Sequence, residues 1–206
     1  MSVIVSSVPA VKTHTADLAA RLVDEAGRLL ARDGAAALTL RRLAEASGTS
    51  TMAVYTLYGD KQGLLRAMYR VGFERLGDAL RAAAVRYDDP LDALVALGHA
   101  YRDTALANPH LYGLMFGAAV PGFVPDEDAR AVADAAYAPL VDGVQRCLDA
   151  GQMSGTPAER IALHLWSVSH GMVSLELAGH LAAADPAAAY VESLVYAGLP
   201  FLTPGR

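Results

Sequence analysis

Between Thr39 and Lys61 the chain gathers side chains suited to a polyanion: Thr39, Arg41, Arg42, Thr49, Ser50, Thr51, Tyr55, Thr56 and Lys61. Cationic groups neutralise phosphates and hydroxyls donate to phosphate oxygens, the contacts that supply most affinity for duplex DNA. Met52 and Ala53 stand among them, and their apolar groups, with the threonine methyls, suit the methyl of thymine in a major groove. None of residues 49–56 is Arg, Lys, Asn or Gln, so a paired hydrogen-bond reading of guanine or adenine is not available from that stretch. Lys61 follows Asp60 at the head of an apolar-periodic run, where a helix N-terminus already favours an anion. The plain alternative for the Ser/Thr cluster is a solvated helix cap.

A second set of residues has the composition of a small-molecule pocket, mostly apolar with a few polar groups. It comprises Phe73, His99, Tyr101, Tyr112, Met115, Phe116, Phe123, Tyr137, Trp166 and His170. Each alone reads more readily as core packing, and only the ensemble points to a cavity. Ser167, Ser169, His164 and His170 would be the raw material for a hydrolase. However, Ser169 lacks the glycine-flanked strand-to-helix turn that exposes such a nucleophile. His164 and His170 lie about 240° apart around one helix and cannot share a metal from it. No catalytic residue, metal or cofactor is expected. Cys147 is the one cysteine, which excludes a disulfide framework, and its helical setting reads as a small buried hydrophobe.

The elements that must position these residues follow from apolar periodicity and from caps. Leu18, Leu22, Val23, Ala26, Leu29 and Leu30 mark a first helix, capped by Thr15 and stopped by Gly34. Thr39 caps a short second helix, Leu40–Ala46, broken by Ser47-Gly48. Ser50 or Thr49 caps a third, which ends near Tyr58-Gly59. Asp60 caps a fourth, which carries Leu64, Leu65, Met68, Val71, Leu76 and Leu80 to Arg86. Two short helices joined through a glycine, with Thr, Ser and Tyr exposed on the second, have the spacing of a helix-turn-helix. After the break Tyr87-Asp88-Asp89-Pro90 come helical patterns over 91–107, 111–116, 126–150, 157–183 and 187–198. In the fourth of these, Ile161, Leu165, Val168, Met172, Leu175, Gly179 and Ala182 form one stripe, and Trp166, His170, Val173, Leu177 and His180 another. Small or polar Ala162, Ser169, Glu176 and Ala183 run between them. Two stripes exceed what one chain covers, so part is expected to pack on a second copy.

Charge divides along the chain. Residues 1–86 hold 12 basic against 8 acidic side chains, a net of +4; residues 87–206 hold 5 against 14, a net of −9; together they give −5. A basic front and an acidic back fit a front that meets a polyanion. Residues 1–11 are apolar but too short to span a bilayer and lack a basic leader. A cytoplasmic protein without membrane contact is expected.

The run LRRLAEASGTSTMAVYTLYGDKQGLL, Leu40–Leu65, resembles the DNA-binding signature of the tetracycline-repressor (TetR) family. Tyr55 falls on that family's phosphate-contacting tyrosine and Lys61 on its lysine opening the fourth helix, while Val54 and Tyr58 hold the core-anchoring positions. Leu57 departs from the usual histidine, Tyr58 from phenylalanine and Thr49 from an apolar residue. Trp166…His170-Gly171, with Asn108–Gly117, is similar to the Trp…His-Gly C-terminal subclass of the family.

The resemblance implies an all-α protein with an N-terminal three-helix DNA-binding domain and a C-terminal helical bundle for ligand binding and dimerisation. The expected division is a disordered arm over 1–12, a helix-turn-helix domain over 13–60, a connecting helix over 61–86 and the bundle over 87–206. The connecting helix is expected to be the only element continuous with both domains. The implied function is a ligand-responsive repressor that binds palindromic double-stranded DNA as a homodimer and is released by an unidentified apolar or aromatic effector. A helical apolar-ligand carrier, or an enzyme that does not bind DNA, is the competing reading.

Overall fold

The computed structural model describes residues 10–117, 120–181 and 185–203. Among them the chain is helical throughout: α1 (Ala10–Ala37), α2 (Leu40–Ala46), α3 (Thr51–Tyr58), α4 (Lys61–Ala84), α5 (Pro90–Ala107), α6 (Pro109–Phe116), α7 (Glu127–Asp149), α8 (Ala158–Leu177) and α9 (Pro186–Gly198), then one 3-10 turn at Leu199–Phe201. Helix α1 starts at Ala10, so Thr15 lies inside it rather than capping it, and residues 10–12 of the expected arm are helical. Residues 1–9 of that arm lie outside the described residues. Gly34, at φ +77°, breaks α1 where the stop is expected.

The caps of the short helices follow from sequence chemistry. Thr39 Oγ1 accepts from the Arg42 N–H at 3.2 Å, Ser50 Oγ from the Ala53 N–H at 3.1 Å, and Asp60 Oδ1 from the Gly63 N–H at 2.7 Å. Each such cap contributes about 1 kcal/mol by satisfying a helix donor that has no other partner. The turn between α2 and α3 places Gly48 at φ +63°, in the left-handed region that glycine enters without steric cost. There the Gly48 N–H reaches Glu45 O at 3.2 Å and the Thr49 N–H reaches Ala44 O at 3.0 Å, closing the last carbonyls of α2.

Two hydrophobic cores result. Leu22, Leu29, Leu43, Val54, Leu64 and Met68 centre the first, among α1–α4; Phe73, Leu80, Leu97, Val144, Ile161 and Tyr190 mark the second, among α4, α5, α7, α8 and α9. The expectation that only α4 joins the two is corrected by α6. Its Leu111 and Leu114 are buried in the first core, and its Tyr112 in the second. Two glycines let α6 approach this closely: a Cβ on Gly27 of α1 would meet His110 Cδ2 at 2.1 Å, and one on Gly72 of α4 would meet Met115 Sδ at 2.5 Å. Arg75 fixes the junction. Its Nη1 donates to Asp24 Oδ1 on α1 at 2.7 Å and to Asn108 Oδ1 at the α5–α6 turn at 2.8 Å.

Helix α8 is shorter than its sequence pattern. It ends at Leu177 because Gly179, at φ +77°, lets the His180 N–H turn back to Leu175 O at 2.9 Å. The expected two-stripe arrangement also changes. Ala162 and Ser169, placed between the stripes by periodicity, are buried, whereas Leu175 of the first stripe and Leu163 are exposed. Glu176 turns inward as well, because Arg102 of α5 grips both its oxygens, Nε to Oε2 at 2.8 Å and Nη2 to Oε1 at 2.6 Å. Cys147 is fully buried, and burial pushes its thiol up to about 11. No described helix is long and apolar enough to cross a membrane.

In an open helix, replacing glycine by alanine adds about 1 kcal/mol. At Gly27 the new methyl strikes the His110 ring, so Gly27→Ala is expected to lower the unfolding free energy by about 1–3 kcal/mol. Urea titration checks this, and a rise in the midpoint would show that the α1–α6 contact yields freely. Burial, joined by Arg28 and Arg75, holds the His110 imidazole below its ordinary value of 6.5 against the opposing pull of Asp24. The unfolded chain therefore takes up this proton at higher pH than the folded one. The stability is complete above the unfolded histidine value and is lost as pH falls below it. Urea midpoints should drop between about pH 7 and pH 5, and drop less in His110→Gln.

Candidate functional site

The outward face of α3 and the surface of α2 form a continuous polar strip. Val54, with no exposure, roots α3 in the core, and the Tyr58 hydroxyl donates to Ala19 O on α1 at 3.0 Å. This leaves Thr51, Met52, Tyr55 and Thr56 pointing to solvent, Met52 at 74% and Tyr55 at 52% exposure. Ala53 and Thr49 are half-buried at the edge of the strip. The Thr56 hydroxyl donates back to Met52 O at 2.9 Å. Thr39 and Ser50 are exposed, each with an oxygen engaged as a cap.

The three basic residues of this strip differ in how they are held. Arg41 is exposed on the solvent side of α2. Arg42 is paired with Asp33, Nη2 to Oδ2 at 2.7 Å. Lys61, half-buried, donates its ammonium to the Ala35 carbonyl at the end of α1. An ammonium carries three donors, so two remain for a phosphate while the third holds α4 against α1.

A cavity of about 280 Å³ lies in the second domain between α4, α5, α6, α7 and α8. Of the residues expected to line it, Phe73, Tyr101, Met115, Phe116, Tyr137 and Trp166 do so. Tyr112 and His170 are not part of the lining. They form a polar knot beside it, with Tyr112 Oη to His170 Nδ1 at 2.6 Å, Tyr101 Oη to the same nitrogen at 3.2 Å, and the two hydroxyls 3.1 Å apart. Burial lowers the His170 pKa and raises those of Tyr101 and Tyr112, so a neutral imidazole faces two protonated hydroxyls.

Phe123 is also outside the cavity, its ring 6.0 Å from that of Tyr69. His99 sits on another face of α5. There it borders a separate apolar chamber of about 190 Å³ between α5, α8 and α9, with Leu91, Leu94, Val191 and Leu194. Sequence reasoning missed Tyr69, Leu76, Leu80 and Asp134 as lining residues of the larger cavity. The repeat Tyr69, Phe73, Leu76, Leu80 on α4 is the signal that could have found four of its wall positions. No cluster of potential metal ligands occurs among the described residues.

Comparison with known proteins agrees with this two-part plan. An HTH-type transcriptional regulator of Mycobacterium bovis is 28% identical over 140 residues, 65% of this chain, and the match spans 58% of that relative's length. An uncharacterised HTH-type transcriptional regulator of Mycobacterium tuberculosis is 29% identical over 175 residues, covering 84% of this chain and 77% of the relative. Among solved structures, a Rhodococcus sp. RHA1 protein of unknown function superposes with a TM-score of 0.78 at 29% identity, covering 90% of this chain and 96% of that one. A regulatory protein designated SCO4313 does so with a TM-score of 0.76 at 31% identity, covering 92% and 98%. The family described as bacterial regulatory proteins, tetR family, matches residues 22–68, and that described as tetracyclin repressor-like, C-terminal domain, matches residues 94–197. With its helix-turn-helix domain and its cavity-bearing bundle each matched in this way, the chain belongs to the TetR family of bacterial regulatory proteins.

Proposed function

We propose that the protein is a ligand-responsive transcriptional repressor that binds palindromic operator DNA as a homodimer in the cytoplasm and is released by a small effector. The observation that carries the DNA reading is the outward face of α3: Thr51, Met52, Tyr55 and Thr56 stand free on a helix rooted by Val54, beside exposed Arg41. In this reading Thr51, Met52 and Ala53 meet base edges in the major groove, while Tyr55, Arg41 and Lys61 position the backbone. Thr39, Thr49, Ser50 and Thr56 line the same groove walls, and Arg42 joins them on leaving Asp33. Occupancy of a promoter is enough for repression, which needs no further surface.

The dimer reading rests on a face of α8, α9 and the following 3-10 turn that the described residues leave uncovered. Leu163, Leu175, Val191, Val195, Tyr196 and Leu199 are all exposed there, and a Cβ on Gly171 would have nothing within 4 Å. Such a face fits a copy of itself related by a two-fold axis. That symmetry would present two copies of α3 to half-sites about one DNA turn apart.

The effector reading rests on α6. Met115 and Phe116 line the cavity, while Leu111 and Leu114 of the same two turns are buried in the DNA-binding core. A ligand pressing on one face of α6 has to shift the other, and α4 with it. Release needs a ligand that favours the non-binding geometry, a coupling of about 1–3 kcal/mol that acts equally in both directions. Trp166 at the wall and His170 in the adjoining knot also favour the Trp…His-Gly subclass of C-terminal domain.

Operator selection followed by titration at several salt concentrations tests these roles. Arg41→Ala and Lys61→Ala should weaken binding to all duplexes alike and flatten the salt dependence by about one counterion each. Thr51→Ala should instead redistribute preference among sites. Were Lys61→Ala to change the preferred sequence and leave the salt slope intact, the assignment of roles would be wrong. Val195→Glu should yield a monomer in sedimentation velocity and lose operator affinity with it. A monomer that protects a full palindrome would overturn the dimer reading.

A further inference from the structure

Resting on the effector reading above, we infer that the cavity between α4 and α7 takes a cationic ligand, one that carries a quaternary ammonium or a delocalised aromatic cation. Five aromatic rings follow one another around its wall. Tyr69 and Phe73 have centroids 4.8 Å apart, Phe73 and Phe116 5.2 Å, Phe116 and Trp166 6.1 Å, and Trp166 and Tyr137 5.4 Å. Among the described residues the one charged side chain in the lining is acidic: Asp134, exposed, one turn of α7 before Tyr137. No described Lys, Arg or His lines the cavity. The nearby guanidinium of Arg130 is turned to the start of α7, where Nη1 donates to Pro125 O at 2.7 Å.

The physics of this wall discriminates by charge. Aromatic faces carry negative potential and attract a cation, more strongly for Trp and Tyr than for Phe and more strongly once water is excluded. A carboxylate at the rim adds long-range attraction for a cation and repulsion for an anion. It stands in a domain segment of net charge −9, from 5 basic and 14 acidic residues. The fields of both nearby charges reach the wall: after burial, Asp134 raises the Tyr69 hydroxyl's pKa and Arg130 lowers it, Asp134 being the larger of the two influences. An anionic ligand would find no counter-charge among the described lining residues. A neutral ligand would gain the apolar burial and forgo both electrostatic contributions.

The sequence supplies its own reporter, because Trp166 is the one tryptophan and it lines the cavity. The test titrates the full chain with three probes of nearly equal shape: benzyltrimethylammonium, uncharged neopentylbenzene and anionic phenylmethanesulfonate. Trp166 emission is followed throughout. The cation is expected to bind about tenfold or more tighter than its neutral isostere, with the anion weakest. Asp134→Asn should cut the cation-to-neutral ratio about three- to tenfold and leave the neutral probe's affinity in place, which also reports that the variant is folded. Equal or tighter binding of the neutral probe overturns the charge assignment, as does a ratio that Asp134→Asn leaves unchanged. If such a neutral binder also alters operator affinity, effector sensing stands without the cation. If none of the three probes moves Trp166 emission, both readings fall.

Discussion

One helix of eight residues belongs to two cores at once, and the arrangement of the rest follows from that sharing. Helix α6 buries Leu111 and Leu114 among α1–α4, and Tyr112 among the helices of the bundle. It can sit there because Gly27 and Gly72 remove the two side chains that would hold it away. Close-packed interiors do not deform continuously; they move between discrete seatings. A helix wedged in this way therefore acts as a rigid coupler, and Arg75, bound to both α1 and the α5–α6 turn, keeps its entry fixed.

The polar groups of the bundle are arranged so that little of their burial goes uncompensated. Tyr101, Tyr112 and His170 satisfy one another, the Tyr190 hydroxyl donates to Gly98 O at 2.7 Å, and Arg102 neutralises Glu176. Such a network is stable as a whole and costly when one member is removed. It also explains why the cavity lies where it does. The polar rings turn toward each other on one side of Phe116 and leave the other side to aromatic and aliphatic walls. Pro139, inside α7, removes a helical hydrogen bond next to two of those wall residues, Tyr137 and Leu140.

Local chemistry was the readable part of the sequence. Thr39, Ser50 and Asp60 announce three helix starts because their side chains cap backbone donors within three residues, and α2 begins and ends where Thr39 and Ser47-Gly48 place it. Tertiary partnership was not readable. Ser169 and Glu176 looked like a polar track, yet both face the core; Glu176 does so because Arg102 of α5 neutralises it, 74 residues away. Gly179 passed for a member of an apolar stripe, but its backbone ends α8. Among the proposed wall residues, the ones away from the cavity are polar or distant: His99 faces another chamber, Tyr112 and His170 pair with each other, and Phe123 lies outside, tilted against Tyr69. Asp134 drew no attention because an isolated carboxylate on a helix is ordinarily a solvated one.

The pair between Arg42 and Asp33 bears on how the reading head meets a polyanion. Asp33 also holds Arg32, at 3.0 Å, and these contacts keep its carboxyl below the usual range, the Arg32 hydrogen bond most of all. Arg42 thus carries its counterion within the fold. In the DNA complex proposed above, Arg42 would exchange one anion for another, where a bare arginine would shed a mobile salt ion. The carboxylate left behind would face the same backbone and repel it. Attachment would then be an ion swap inside the protein, less sensitive to salt at this position than at Arg41, and the abandoned partner would favour departure.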